Sequence, residues 1–413
     1  MMRGLILGLV LVLNAACRAP EYDRAAALVD QVDSDLANPD KGAALPFAQH
    51  ARRHGPGFRQ ARLREASLWL ELDELRRGAL PRFSLLMQGT LQLRSDPAAL
   101  ELRGRNHAFV IEWDFVRALY VFFRRTPETF ARLVAQDSAL AVQEAEKDLL
   151  DQLAAALLAD LDLERDALRL QAEQCLLQQM RSDLAAGAVA GAAVAEKESE
   201  HRRLQALTGA VRTLNAATWA KLSHSGGGAP VQPRPTITAL LPVTRISEDA
   251  AQCYAGSALR ARNDALHDIA LGGLEAARIE KWLNLSGIVP NQLGSQNPAR
   301  IELLLNLMVP LIDQGRGDRQ VMQARIAVAN ALITAGDSRA AFLLAHARMR
   351  VTLAEAELEM LRPATPPATD DCTAVLSARQ DDIARRRAAL TAAHMRASLH
   401  LLCTPAASVP ARE

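Results

Sequence analysis

The chain is predicted to be mainly α-helical with a small transmembrane β part. It reads as two repeats of helix, strand, strand, long helix and returning helix, with long α-hairpin coiled coils and four strands in all. Three observations carry this. The order of helical and strand-like segments in the first half recurs in the second. Four segments alternate side chains over close to the ~9–11 residues that a tilted strand needs to cross a bilayer. The segments between them repeat apolar residues at threes, fours and sevens.

The composition agrees. Only 4% of the 413 residues are aromatic, and the body is rich in Ala, Leu, Arg, Glu and Gln, which favours long helices over several compact cores. The net charge of +1 gives no electrostatic case for nucleic acid or an acidic partner. No apolar run after the amino terminus reaches the ~18–20 residues of a transmembrane helix, so any span there must be β.

The amino terminus reads as a targeting segment, 1–16. Arg3 supplies the positive end, Gly4 to Leu13 the apolar run, and Asn14-Ala15-Ala16 the small residues before Cys17. A cysteine there looks like a bacterial lipobox, which makes Cys17 the candidate lipid attachment site. Arg18 after it, rather than Asp, suggests passage to the outer membrane.

The first repeat then occupies 17–224. A helix over 58–78 runs into Ala79-Leu80-Pro81-Arg82-Phe83. In the strand at 82–94, Phe83, Leu85, Met87, Leu91 and Leu93 share one face, opposite Arg82, Ser84, Gln88 and Thr90. In the strand at 106–115, Phe109, Ile111 and Trp113 oppose Asn106, Glu112 and Asp114. The hairpin over 116–222 has few breakers except Pro127, and Leu153, Leu157, Leu161, Leu168 and Cys175 form its descending stripe. Leu204, Leu207, Val211, Leu214 and Thr218 form the returning one. Its tip is Leu184-Ala185-Ala186-Gly187-Ala188-Val189.

Residues 225–245, rich in Gly and Pro, read as a flexible linker and not a phosphate loop. The second repeat, 246–413, has a helix over 258–281 and strands at 282–290 and 300–311. In the last strand Ile301, Leu303, Leu305, Leu307 and Val309 face one way, while Glu302 and Asn306 face the other. A shorter hairpin over 315–403 follows. Phe342, Ala345, Met349, Leu353, Ala356 and Met360 line its descent, Pro363 to Pro367 break it, and Leu376, Ile383 and Leu390 line the return.

Nothing here reads as an enzyme, and no cofactor or metal is expected. His50 and His54 stand at i, i+4, but in a segment that reads as loop before Gly55-Pro56-Gly57. His224-Ser225 lacks an acidic orienter. Asp162, Glu164 and Asp166 read as a solvated helix face. Export implies an oxidising compartment. Cys175 then reads as a small core residue, and a Cys253–Cys403 bridge is conceivable because both lie where helices return to one level. Asp370 and Asp371 suit a helix cap, since a carboxylate there meets free N–H groups.

Several of these segments resemble the TolC family of outer-membrane efflux proteins. Val309-Pro310-Leu311-Ile312-Asp313-Gln314-Gly315-Arg316 looks like the family's "PLFDGGR" strand-to-helix junction. Ala79 to Leu85 and Trp282 to Gly287 resemble its "LPxLxL" entry, and Arg262-Asn263-Asp264-Ala265-Leu266 its "RPDL" helix start. The resemblance implies a passive conduit for small molecules, metal ions or a polypeptide, working with a periplasmic adaptor and an inner-membrane transporter. Lipid admits no unpaired sheet edge, so four strands must be shared between copies. A dimer would close eight strands and a trimer twelve; the resemblance implies the trimer. It also implies an adaptor contact at Leu184, Gly187 and Val189, and a periplasmic gate at Asp370 and Asp371. The polar strand faces, with Glu112, Asp114 and Asn306, would then line the lumen. The rival reading is a periplasmic hairpin lipoprotein scaffold without a pore.

Overall fold

The computed structural model describes residues 20–37, 45–77, 82–93, 100–114, 126–228, 231, 234–241, 249–281, 284–288, 291–293, 304–308, 316–362 and 372–405. The first repeat runs α1 (Pro20–Ala37), α2 (Phe47–His54), α3 (Pro56–Arg77), β1 (Arg82–Leu93), β2 (Leu100–Asp114), α4 (Thr126–Ala185) and α5 (Gly191–Ser225). A single turn, α6 (Ile237–Leu240), leads to the second: α7 (Ala250–Gly256), α8 (Ala258–Glu280), β3 (Asn284–Ile288), β4 (Asn291–Leu293), β5 (Leu304–Met308), α9 (Arg316–Met360) and α10 (Cys372–Leu402).

Helix α4 is 60 residues long, roughly 90 Å at the usual rise. Pro127, expected as a breaker, falls in its first turn, where a missing N–H costs no helical bond. Helix α9 is shorter at 45 residues. Both run through two levels. Near the strand end α4 packs on α3 and α8, and α9 packs on α8. Toward the tips α4 packs on α5 and α10, and α10 on α9. The lower level is therefore a layer in the order α5–α4–α10–α9.

Polar side chains fix this register. Asp137, near the start of α4 and buried, takes Arg64 of α3 at 2.9 Å and Arg262 of α8 at 2.7 Å. Asp160 accepts from Asn215 and Trp219 of α5 at 2.9 and 3.0 Å. Arg387 and Arg386 of α10 reach Asp162 and Glu164 at 2.6 and 2.5 Å. The acidic face expected to meet solvent is thus also the seam on which α10 lies; Glu164 remains exposed there, and Asp162 and Asp166 both pair with Arg165 of their own helix as well.

The largest core cluster sits where the two levels meet. Leu150 and Leu153 of α4, Leu222 of α5, Ile237 and Leu240 of α6 and Leu401 of α10 all join it. The segment expected as a flexible linker is therefore pinned at α6, because its apolar turn fills this core. Residues 47–54, expected as loop, form a helix whose inner face buries Ala48, His50, Ala51 and His54.

Each return helix ends against a short helix in the opening part of its own repeat. In the first repeat, Gly227 and Gly228 close α5 with paired N–H bonds to His224 and Ser223, and the His50 ring Nδ1 lies 3.0 Å from the Gly226 carbonyl. In the second, Cys403 just past α10 is disulfide-bonded to Cys253 of α7, with Cα atoms 5.0 Å apart. Cys175, expected as a core thiol, is also disulfide-bonded.

Candidate functional site

Two regions hold the residues that the sequence singles out: the sheet and the first hairpin tip. The strands form one antiparallel sheet in the order β1-β2-β3-β5. β4 pairs with β2 in the register that β3 begins, so β3 and β4 act as two parts of one strand. A register shift between Gln88 and Thr90 marks an irregularity in the β1–β2 pair. Partners directly opposite share a face. Asp114 stands opposite Ser286, and Ser286 opposite Asn306. Trp113, Gly287 and Leu305 form the adjacent row. Glu112 lies two residues from Asp114, on the same face, opposite Arg82. The register thus puts Glu112, Asp114 and Asn306 on one face and Leu305 on the other. The two outer strands are β1 and β5, each with one side unpaired among the described residues.

At the tip, α4 ends in a left-handed glycine. Gly187 has φ 75°, Ala188 N–H bonds to the Asp183 carbonyl, and Gly187 N–H to Leu184. This six-to-one and five-to-two pair is how a helix stops on glycine. A β-carbon at Gly187 would meet nothing within 4 Å, so the backbone conformation alone asks for glycine. Leu184 and Gly187 are exposed and Val189 is half-buried.

Ion pairs that the sequence analysis did not single out stiffen the tip. Arg181 of α4 meets Glu198 of α5 at 2.6 Å, and Lys197 meets Glu173 at 2.5 Å and Glu200 at 3.0 Å. The hydrogen bond from Arg181 holds the Glu198 carboxyl below the usual carboxylate range. The hydrogen bonds to Glu173 and Glu200 hold the Lys197 ammonium above its ordinary value. Opposite charges on facing turns of the two hairpin arms were the signal available for these pairs.

Cys17, Asp370 and Asp371 lie outside the described residues. No described helix is long and apolar enough to cross a membrane.

A cleft of about 410 Å³ opens beside Asp137, lined by Arg64, Arg262, Lys147, Leu259, Met349 and Leu402 among others. Exposed aliphatic side chains mark both ends of the lower layer. On α5 these are Leu207 and Leu214, seven residues apart and 53% and 67% exposed. On α9, Ile333, Leu344, Val351 and Leu358 recur at elevens and sevens, all more than half exposed. Such spacings form a coiled-coil seam.

No family model and no curated protein matches the sequence. Solved structures do match. The chain is similar to the outer membrane protein VceC from the bacterial pathogen Vibrio cholerae, with a TM-score of 0.59 at 14% identity over 86% of this chain and 94% of that one. It is similar to the outer-membrane channel OprN, with a TM-score of 0.59 at 14% identity over 93% of this chain and 94% of that one. The open state of the Neisseria gonorrhoeae MtrE outer membrane channel matches with a TM-score of 0.56 at 13% identity over 86% and 88%. These likenesses cover 86–93% of this chain, so the chain has the fold of the outer-membrane channel proteins, the TolC-like group that its sequence resembles.

Proposed function

We propose that the chain is the outer-membrane channel subunit of a tripartite efflux or secretion system. It acts as a passive homotrimeric conduit, anchored through Cys17 and docked to a periplasmic adaptor and an inner-membrane transporter. The observation that carries this is that the protomer ends on two unlike edges. The helical layer has α5 at one end and α9 at the other, each with a heptad-spaced apolar stripe in the open. The sheet ends likewise on β1 and β5. Unlike edges join head to tail, and such contacts close into a ring when the rotation allows. One operation serves both parts: α9 meets the next copy's α5 while β5 meets the next copy's β1, and strands and helices keep alternating direction across the junction. Burying each large aliphatic side chain contributes about 1.5–3 kcal/mol, so the stripes favour closure strongly. Closure also removes the strand edges that lipid cannot tolerate. Three copies would give twelve strands. The fold likeness to outer-membrane channels supports the same reading.

Within this reading Leu305 faces lipid, and Glu112, Asp114 and Asn306 line the lumen. Leu184, Gly187 and Val189 form the adaptor contact, and Asp370 and Asp371 form the gate. The test is a pair of variants. Leu305→Arg puts a charge near the bilayer midplane at about 2–4 kcal/mol per subunit, so trimer yield in the outer membrane drops steeply. Asn306→Arg puts the charge in a wet lumen, so trimers form and ion preference changes. The reverse pattern would refute the assignment.

The scaffold reading draws on the short described strands β3 and β5, of five residues each. A stable helical monomer without conductance would favour it.

A further inference from the structure

The Cys253–Cys403 bridge has a third residue beside it. His346 of α9 places a ring nitrogen so that it and the two sulfurs all lie within 4.8 Å of one another. His346 is 3% exposed, and its Nε2 has no hydrogen-bond partner. A buried imidazole nitrogen without a partner is costly, because it has lost water and gained nothing. A bridge that only tied α7 to α10 would be served as well by an apolar residue at this position. Around the three lie Tyr254 and Phe342, packed edge to face at 5.2 Å, with Leu343. The side chains packed around the three are mostly apolar.

We propose that the disulfide is the closed, oxidised form of a metal site. When a dithiol reductant delivers two electrons and two protons to the S–S bond, the Cys253 and Cys403 thiols and His346 make a ligand set for a thiophilic d10 cation, Zn(II) or Cu(I). Two thiolates and an imidazole are the soft donors that select these ions over hard cations. On binding, the two thiol protons leave, and the neutral imidazole donates the ring nitrogen that lies beside the sulfurs. Two sulfurs on one ion with bonds of about 2.3 Å stand roughly 3.8 Å apart, a separation that Cα atoms 5.0 Å apart allow by rotation about the cysteine side-chain bonds. The described residues offer three ligand atoms here. That suits a trigonal Cu(I), or a Zn(II) whose fourth position takes water. The site has a way in: Leu259 and Leu402 pack on this cluster and also line the 410 Å³ cleft. The proposal stands whether or not the chain conducts, since it rests only on the helical body.

The test uses full-length protein in detergent in which Cys17, Cys175 and Cys372 are replaced by serine, with helicity checked by circular dichroism. After phosphine reduction, Zn(II) and Cu(I) are titrated anaerobically in separate arms against a competing chelator, and Co(II) serves as an optical probe. One equivalent of Zn(II) or Cu(I) binds, Co(II) develops thiolate charge-transfer absorption, and the oxidised protein shows neither. His346→Ala weakens binding at least tenfold while the fold persists. Absence of stoichiometric binding by the reduced protein, equal binding by the oxidised one, or unchanged affinity in His346→Ala would each overturn the proposal. The arm that binds identifies the ion.

Discussion

The two repeats solve the same problem with different chemistry. Each must hold the end of a long return helix against a short helix in the opening part of the repeat. Ala48-Gln49-His50 on α2 and Ala251-Gln252-Cys253 on α7 stand at corresponding places. In the first repeat His50 meets a glycine turn across a ring-to-carbonyl contact; in the second Cys253 is bonded to Cys403. Core size accounts for the difference. The first root sits in the largest apolar cluster of the molecule, sealed by α6. Among the described residues the second has Cys253, Tyr254 and Phe342 as its buried centre, with Cys403 partly buried against it. Where there is little surface to bury, a covalent tie substitutes for packing.

The largest expected effect comes from removing that tie. Cys403→Ser opens a link between residues 150 positions apart. Chain entropy alone puts the loss near 5 kcal/mol, with a measured range of about 2–5 for native bridges. Thermal melting in detergent should show a large drop, and reductant, which also opens the Cys175 bridge, should lower the wild-type midpoint at least as far. An unchanged midpoint would mean that the second root is held by packing after all.

Next comes the glycine root. Gly227 has φ 76°, and a β-carbon there would stand 2.5 Å from the His54 backbone. Gly227→Ala therefore combines left-handed strain with overpacking against main chain, about 3 kcal/mol together. Gly187 has almost the same φ, with nothing near it. Gly187→Ala should cost only the conformational part, about 1 kcal/mol. Equal losses at the two positions would contradict the close approach at the root. On the proposed function, a bulkier residue at Gly187 also weakens export while trimer yield is kept.

The smallest effect concerns pH. Glu198 has a lowered folded pKa, so its contribution to the tip is present above the ordinary 4.5 and is lost as pH falls through the lower folded value. Lys197 has a raised one, so its contribution is complete below the ordinary 10.5 and is lost as pH rises through the higher value. Both pairs are solvent-screened and weak. Amide protection around 181–198, taken relative to the intrinsic exchange rate at each pH, should fall in acid well before that of α3 and its core, and Arg181→Ala should remove that acid dependence. A flat profile would show that the tip is held by its backbone alone.

Much of this architecture is legible in the sequence because it is periodic. Alternation points to the four strand segments, although β2 begins at Leu100, before the expected 106, and β4 lies past the expected end at 290; the register aligns Asp114 with Ser286 and Asn306, as the alternation does. Helices α3 and α8 match the expected 58–78 and 258–281 to within two residues. Periodicity cannot say which partner a stripe faces. On α5 the expected inward stripe included Leu207 and Leu214, yet the buried positions are Thr208, Asn215, Trp219 and Leu222. On the proposed ring, α5 has one partner in the chain and another in the next copy, so it carries two stripes, and the exposed, more apolar one is assigned to the next copy. Helix α2 was missed because eight residues between Pro46 and Gly55 show too few turns to establish a period. The His346 contact was invisible for another reason: it joins residues 93 and 57 positions apart on different helices, and no spacing rule reaches that far.

The central claim is that unlike edges close this protomer into a conducting ring. Conductance of the purified wild-type protein in a planar bilayer tests it most directly. Discrete, uniform openings from a species of three times the chain mass are the expected result. Bilayers that stay silent, with a protein that remains a stable helical monomer, would contradict it.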